Sequence, residues 1–197
     1  HINAAGRMSS ANEAVKLFMT NDVNVAMRQT VILKEANENR KRMQNKSYDD
    51  CIAMIHDDED FILLRRDDIH EGIGGIVAGK IKEEYQRPCV IITPTEDGRL
   101  KGTGRSIESI DLHSFLKDFG DLFDTFGGHK GACGFSLKTD KYQTLADGIR
   151  EKIKRMMVEN PDIFTIPKAC DMCLEPEEIT LSLAEYLERM EPFGAGN

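Results

Sequence analysis

The chain has 197 residues, of which 40% are hydrophobic and 30% are charged, a balance typical of a globular protein with a core. It contains no apolar run near the roughly 18 residues that a membrane span needs and no signal peptide, so no membrane association is predicted. The net charge of −8 argues against a surface coated with nucleic acid, since phosphate contacts need lysine and arginine. Residues 1–46 nevertheless carry eight basic and four acidic side chains, which leaves a local nucleic-acid groove open.

The cysteines indicate a reducing compartment. There are five, an odd and scattered set without secretory context, so free thiols and a cytoplasmic location are predicted. Cys170 and Cys173 have the spacing of a metal-binding pair, but no second such pair accompanies them. No metal site is therefore predicted from the cysteines.

The first part of the chain predicts helices. His1–Met8 is predicted to be irregular, and a short helix capped by Ser9 or Ser10 is predicted to follow as far as Met19. A long helix is predicted over residues 21–46. Its second half is almost wholly polar, as in a helix that connects two bodies rather than packing into a core.

From residue 47 the pattern alternates between strands and helices, which favours a mixed α/β domain over residues 47–158 with a central mixed sheet flanked by helices. Strands are predicted at Cys51–Ile55, Pro88–Thr93, Leu100–Arg105 and Phe135–Leu137, and Phe61–Leu64 is either a further strand or a short extension. Helices are predicted at His70–Tyr85, Asp111–Phe119 and Lys141–Glu159. Residues 160–178 hold three of the six prolines and are predicted to be a linker, followed by a short helix over Thr180–Met190.

The octapeptide GGHKGACG, at residues 127–134, is the strongest candidate for chemistry. Gly127 and Gly128 would let the backbone turn sharply and bring the His129 imidazole against a ligand, where it can donate a hydrogen bond to a phosphoryl oxygen. The alternative is a glycine-rich turn with a solvated histidine.

Two other segments combine glycine with groups that bind anions. Thr103, Arg105 and Ser106 lie among glycines that would let an anion approach the backbone, and arginine can grip two phosphate oxygens. Asn3 and Arg7 repeat that chemistry near the start of the chain. The alternatives are an exposed edge strand and an ordinary loop. The sequence has no Asp-His-His triplet and no HExxH motif, so no metal-binding cluster is predicted.

These motifs together resemble a known family. GGHKGACG is similar to the GGHxxAAG signature of the DHH-associated domain, with Cys133 where alanine is usual. Four further stretches resemble, in order, the RecJ family of single-strand-specific exonucleases within the DHH phosphoesterase superfamily, and Thr103 stands where that family often has serine. They are INAAGRM (2–8), HEGIGGIVAGKI (70–81), GTGRSIESIDL (102–112) and EPFGAGN (191–197).

The resemblance implies a domain organisation. Residues 1–20 would be the end of a DHH catalytic domain, residues 21–46 a connecting helix, residues 47–158 the DHH-associated domain, and residues 159–197 a linker towards an OB-fold. The chain would be part of a longer parent protein, whose catalytic domain would hold two manganese or magnesium ions. This chain would bind none and would be inactive alone.

The resemblance also implies residue roles. His129 would be catalytic and contact the scissile phosphate, with Gly127 and Gly128 shaping its backbone. Thr103, Arg105 and Ser106 would grip the 5′-terminal phosphate, and Arg7 and Asn3 would contact the DNA. These eight residues are the predicted site.

The function implied is 5′→3′ hydrolysis of single-stranded DNA in the cytoplasm. Single-strand-binding protein and other DNA-repair proteins are candidate partners. Two alternatives stay open: an oligoribonuclease that also hydrolyses 3′,5′-bisphosphonucleotides, and a catalytically dead relative that serves as a scaffold or binding module.

Overall fold

The structure is a computed structural model that describes residues 1–8, 10–56, 58–165 and 171–194. The chain divides into two compact units, His1–Phe164 and Thr165–Asn197. The predicted boundaries after residues 46 and 158 stay predictions. Ser9, Cys170 and the end of the EPFGAGN stretch lie outside the described residues.

The first unit combines helices with one sheet. Its helices are α1 (Ile2–Met8), α2 (Asn12–Met19), α3 (Val23–Ile52), α4 (Glu71–Tyr85), α5 (Leu112–Lys117) and α6 (Tyr142–Glu159). Its strands are β1 (Ile62–Arg65), β2 (Cys89–Pro94), β3 (Arg99–Arg105), β4 (Phe123–His129) and β5 (Ala132–Lys138). The second unit contains α7 (Leu181–Glu188), which matches the short helix predicted there.

The sheet has five strands in the order β1-β2-β3-β5-β4. β1 and β2 are parallel and are joined through α4, whereas the other neighbours are antiparallel. A parallel pair needs a crossover connection, while antiparallel strands can be joined by tight turns. The predicted mixed α/β class with a central mixed sheet is confirmed.

Each face of the sheet has its own hydrophobic core, because successive strand residues point to opposite sides. One core joins the sheet to α5 and α6 and includes Val90, Leu100, Phe135 and Ile149. The other lies beneath α4 and the end of α3 and includes Cys51, Ile62, Ile81 and Ile91.

On the α4 side, the outer strands β5 and β4 carry small or polar residues. Gly127 and Gly134 are exposed there, and Thr125 beside them bonds to Ser136, with 2.7 Å between the hydroxyl oxygens. α4 packs against β2 and β3, next to this surface. Residues 125–136 of the two strands therefore present an open face of the sheet.

Two secondary-structure predictions for the first 55 residues were wrong. The segment predicted to be irregular forms the helix α1 from Ile2 onwards. Cys51–Ile55 is not a strand, because α3 continues to Ile52. Tyr48 and Cys51, three residues apart on one helix face, are both buried against α4, and a short apolar run cannot distinguish a strand from such a helix end by periodicity alone.

The starts of two helices agree with their sequence patterns. The Asp22 carboxylate accepts from the Asn24 and Val25 amides, at 2.7 and 3.3 Å, as an N-cap does for the long helix. The Ser10 hydroxyl oxygen accepts from the first amide of α2, that of Asn12, at 3.2 Å, although Ala11 occupies the N-cap position itself. None of the helices in the described ranges is long and apolar enough to cross a membrane.

Candidate nucleic-acid interface

A pocket of about 240 Å³ lies where α1, α4 and β3 meet. It brings together three residues of the predicted site, Arg7, Thr103 and Arg105, and we call it the arginine pocket. Its other lining residues are Gly6, Glu71, Gly72, Gly75 and Lys101. Two segments that are almost one hundred residues apart in sequence therefore contribute to a single site.

The strand pattern explains why Thr103 and Arg105 share this pocket. They alternate with Gly102 and Gly104, which are buried on the opposite face of β3. α4 makes room for them with Gly75, where a Cβ would lie 2.9 Å from Arg105 Nη2 and 3.0 Å from Thr103 Cγ2. A larger residue at position 75 would occupy the space that the guanidinium now fills.

Arg7 reaches the pocket from the last turn of α1. Its Nη1 donates to the Gly72 carbonyl at 3.3 Å. The start of α4 is fixed by His70, whose Nδ1 accepts from the Gly72 amide at 3.0 Å and so caps the helix. The location of Arg7 thus depends on packing between α1 and the first turn of α4.

The pocket carries excess positive charge. Within the described residues, neither Arg7 nor Arg105 forms an ion pair with a carboxylate, and Arg105 Nη1 donates only to the Gly104 carbonyl, at 2.8 Å. Burial lowers the pKa of Arg105, and the positive charge of Arg7 lowers it further. Two guanidiniums that converge in this way favour a bound anion, and phosphate fits their planar donors.

The one carboxylate in the pocket is already paired. Glu71 accepts from Lys101 at 2.8 Å, and this hydrogen bond, together with the charge of Lys101, holds the pKa of Glu71 below its ordinary value. The ammonium of Lys101 neutralises Glu71, so the two guanidiniums determine the net charge of the pocket.

His129 lies at the end of β4, immediately before the turn to β5. The sharp turn predicted at Gly127 and Gly128 is therefore wrong, because both glycines belong to the strand and pair with Gly134 and Cys133. Gly128 has a φ of +149°, which favours glycine. A Cβ there would overlap the Ala132 carbonyl oxygen and lie 2.6 Å from Cys133 Cα. Gly127, by contrast, faces open space.

The imidazole of His129 is exposed and accepts one hydrogen bond from its own turn. Its Nδ1 accepts from the Gly131 amide at 3.3 Å. A neutral imidazole that accepts at Nδ1 carries its proton on Nε2. Among the described residues this Nε2–H donor has no partner, and His129 lines a groove of about 500 Å³ together with Lys82, Gln86 and Lys130.

His129 and Arg105 lie on the same face of the sheet. Arg105 is opposite Ala132 on β5, and Ala132 is opposite His129 on β4. Side chains of directly opposed residues in an antiparallel pair share a face, and two such steps place the Cα atoms of Arg105 and His129 roughly 10 Å apart. Arg105 on β3 and His129 on β4 are therefore separated by one strand, β5.

Ser106 and Asn3 do not line the arginine pocket. The Ser106 side chain is buried, and its hydroxyl donates to the Ile110 carbonyl at 2.8 Å, so its role as a phosphate contact stays a prediction. Asn3 lines a neighbouring depression, which shares Arg7 with the pocket but is otherwise largely apolar and includes Phe18.

The described residues do not fit a metal centre. They contain no group of three or more His, Cys, Asp or Glu side chains placed to hold an ion. His70 and Glu71, two neighbouring residues of types that can bind metals, already have other partners, because His70 caps α4 and Glu71 pairs with Lys101. Cys173 is exposed.

The sequence predictions missed the walls of the arginine pocket, Glu71, Gly72, Gly75 and Lys101. One signal was present. Lys101 precedes Thr103 by two residues on a strand, and this spacing places it on the same face. For α4, the glycine-rich HEGIGG stretch favours close packing on a sheet, but it does not indicate which residues of the helix line the pocket.

Comparison with known proteins gives concordant matches. A model of the DHHA1 domain family matches residues 53–155. The single-stranded-DNA-specific exonuclease RecJ of Bacillus subtilis is 29% identical over 200 residues, covering 100% of this chain and 25% of the relative. The Escherichia coli RecJ is 28% identical over 204 residues, covering 98% of this chain and 35% of the relative.

Solved structures agree with the sequence matches. RecJ from Thermus thermophilus, determined in complex with Mg²⁺, has a TM-score of 0.79 and 27% identity, covering 100% of this chain and 30% of that one. A RecJ exonuclease bound to manganese has a TM-score of 0.71 and 28% identity, covering 78% of this chain and 39% of that one. The chain spans only a quarter to about a third of the length of the Bacillus subtilis and Escherichia coli relatives.

Proposed function

The chain belongs to the DHHA1 domain family, and we propose that it forms the substrate-binding part of a RecJ-like exonuclease that degrades single-stranded DNA. The observation that carries the proposal is the convergence of Arg7, Thr103 and Arg105 in one pocket, where the two guanidiniums have no carboxylate partner within the described residues. The matches to RecJ exonucleases supply the substrate class.

The arginine pocket would bind the 5′-terminal phosphate of the strand. Arg7 and Arg105 can donate to its oxygens from two sides, and the Thr103 hydroxyl can add a neutral donor. Partial burial strengthens such charge-assisted hydrogen bonds, because less water competes for them. Selection of a terminal phosphate would set 5′→3′ digestion.

His129 would contact the scissile phosphate. Its Nε2–H faces a groove on the same side of the sheet as Arg105, roughly 10 Å away by strand spacing. One strand could then extend from the arginine pocket to His129. A donor already in place where charge develops stabilises the transition state without reorganisation.

The hydrolysis would use divalent ions that the described residues cannot hold. RecJ of Thermus thermophilus has been solved with Mg²⁺ and with Mn²⁺, and we extend the use of one of these ions to the parent enzyme. When bound, such ions activate water and neutralise phosphate charge. The residues of this chain would bind and orient the strand.

The remaining elements of the proposal are a cytoplasmic location and functional contact with single-strand-binding protein or other repair proteins. The odd, scattered cysteines support the location. No observation on the described residues favours the oligoribonuclease or bisphosphonucleotide phosphatase alternative, or the catalytically dead scaffold.

Binding of short oligonucleotides to the 197-residue chain tests the proposed pocket. A 5′-phosphorylated strand should bind more tightly than the same strand with a 5′-hydroxyl, and Arg105→Ala should remove roughly tenfold or more of that preference, since hydrogen bonds to charged groups contribute strongly. Fluorescence anisotropy at one fixed salt concentration measures both affinities.

The matched control is Arg155→Ala. Arg155 is exposed on α6, the helix that packs on the opposite face of the sheet. This substitution should leave the preference unchanged. Equal losses for both variants would show that general positive charge, rather than the pocket, holds the strand.

A second assay tests whether the 197-residue chain hydrolyses DNA by itself. With Mn²⁺ and a labelled single strand, the 197-residue chain should release no nucleotides, because the described residues offer no ligand cluster for the ions. A full-length enzyme that carries the chain serves as the positive control. Degradation by the 197-residue chain would contradict the proposal.

A further inference from the structure

The backbone of α1 lies directly on the first turn of α4. A Cβ built on Gly72 would overlap the Arg7 carbonyl oxygen and lie 3.0 Å from the Arg7 carbonyl carbon. At the same place the Arg7 guanidinium donates to the Gly72 carbonyl at 3.3 Å. Two contacts, one through each carbonyl, therefore join these two residues across 65 positions of sequence.

We propose that Gly72 is a positioning residue for the arginine pocket: the absence of a side chain lets α1 approach α4 closely enough for Arg7 to face Arg105. This inference rests on the proposed function, because it assumes that the pocket binds a phosphate. It assigns to α4 the task of assembling a site whose donors lie on α1 and β3.

The close approach cannot be relieved by a side-chain rotation. The atoms that a Cβ at position 72 would meet first belong to the backbone of α1, whereas a Cβ at position 75 would meet the movable ends of Arg105 and Thr103. Any side chain at position 72 therefore requires α1 itself to shift. Because Arg7 is in the last turn of α1, such a shift carries its guanidinium away from the pocket.

Glycine at position 72 also lowers the intrinsic stability of α4, and the close contact with α1 would have to offset this loss. Glycine is a poor helix former, and position 72 is the second residue of α4. Gly74, two residues later, would meet only Ile91 Cγ2 at 3.9 Å if it carried a Cβ, which is ordinary contact. The two glycines share a helix and differ in what surrounds them.

A phosphate bound in the arginine pocket would connect two parts of the chain. A phosphate between Arg7 and Arg105 touches α1 on one side and β3 on the other. Occupation of the pocket would therefore hold α1 against the sheet, while loosening α1 would weaken binding by the same factor, since coupling between binding and conformation is reciprocal.

The test compares Gly72→Ala with Gly74→Ala in the 197-residue chain. Both variants gain helix propensity. Gly72→Ala should reduce the preference for a 5′-phosphorylated over a 5′-hydroxyl oligonucleotide roughly tenfold, the loss of one charge-assisted hydrogen bond. Gly74→Ala should retain the preference.

The double variant Arg7→Ala/Gly72→Ala separates positioning from general damage. If Gly72 acts through Arg7, Gly72→Ala should have no further effect on the preference once Arg7 is replaced, a non-additivity expected of residues that act as a unit. An equal additional loss in that background would overturn the proposal, as would full preference in Gly72→Ala alone.

A measurement on the wild-type chain keeps the proposal testable if Gly72→Ala does not fold. Hydrogen exchange should slow in residues 2–8 and 71–75 when the 5′-phosphorylated oligonucleotide binds, relative to the 5′-hydroxyl form. Protection of residues 101–105 without protection of residues 2–8 would overturn it. Absence of any 5′-phosphate preference in the wild-type chain would instead contradict the proposed function of the pocket.

Discussion

The arginine pocket and the His129 hairpin are built in opposite ways. The pocket draws Arg7, Gly72, Gly75 and Arg105 from three separate segments, so it exists only when α1, α4 and β3 are packed together. The hairpin positions His129 through its own backbone, within a few residues of the turn. The proposed binding of the strand end would thus depend on long-range packing, whereas the geometry of the histidine is local.

The two regions also differ in contact with water. Arg105 is partly buried, and burial lowers its pKa, whereas His129 is exposed. A hydrogen bond from an exposed imidazole competes with solvent, and it strengthens when a covering surface excludes water. We therefore expect the pocket to bind an anion in this chain alone, and His129 to act fully only when a further part of the enzyme covers it.

The largest expected effect is on turnover. In a full-length enzyme that carries this chain, His129→Ala should lower kcat about 10²-fold or more, as the loss of a transition-state donor does. Folding should be intact, because the side chain is exposed. Single-turnover kinetics with a labelled strand and a thermal melt measure the two properties.

The control for that substitution is His56→Ala, another exposed histidine, in the loop between α3 and β1. It should leave kcat unchanged. An unaltered rate for His129→Ala would mean that the GGH segment serves only to form the hairpin. The proposed catalytic role of His129 would then be contradicted.

The next effect concerns the local scaffold of His129. Gly128→Ala should destabilise the folded chain by about 2 kcal/mol or more, because it combines an unfavourable φ with backbone overlap. Gly127→Ala is the matched control, since that position faces open space, and its effect should stay within about 0.5 kcal/mol. Urea denaturation measures both values. Similar losses at the two positions would show that strand flexibility, rather than the close approach at Gly128, matters.

The sequence predicted the parts of the site that depend on local pattern. Thr103 and Arg105 alternate along a strand, so their common face follows from the period of two. The β4 strand was missed, because Gly127 and Gly128 indicate a turn unless the pairing of Gly128 with Cys133 is known. That pairing joins two strands of one hairpin, and the residue pattern does not predict it because glycine is ordinarily unfavourable in strands.

The meeting of Arg7 with Arg105 could not be derived from local pattern. Arg7 lies in a segment that was predicted to be irregular, and its approach depends on Gly72, 65 residues away. Only the family resemblance assigned it to the DNA. The glycine-rich HEGIGG stretch favours close packing of α4 on a sheet, but it does not indicate that α1 packs against Gly72.

The smallest effect tests whether Glu71 belongs to the scaffold or to the charge of the pocket. Because Lys101 lowers the pKa of Glu71 in the folded chain, their pairing stabilises the fold above the ordinary pKa of a glutamate, about 4.3, and this contribution is lost as the pH falls through the lowered value. Glu71→Gln should therefore cost a few tenths of a kcal/mol at pH 7, as exposed pairs do, and nothing once both states are protonated. Melts at pH 7 and pH 3 measure this.

The same substitution removes a negative charge from the arginine pocket, so at pH 7 it should tighten binding of a 5′-phosphorylated strand while leaving the His129 hairpin unaffected. Weaker binding would show that Glu71 acts chiefly by holding Lys101 in place.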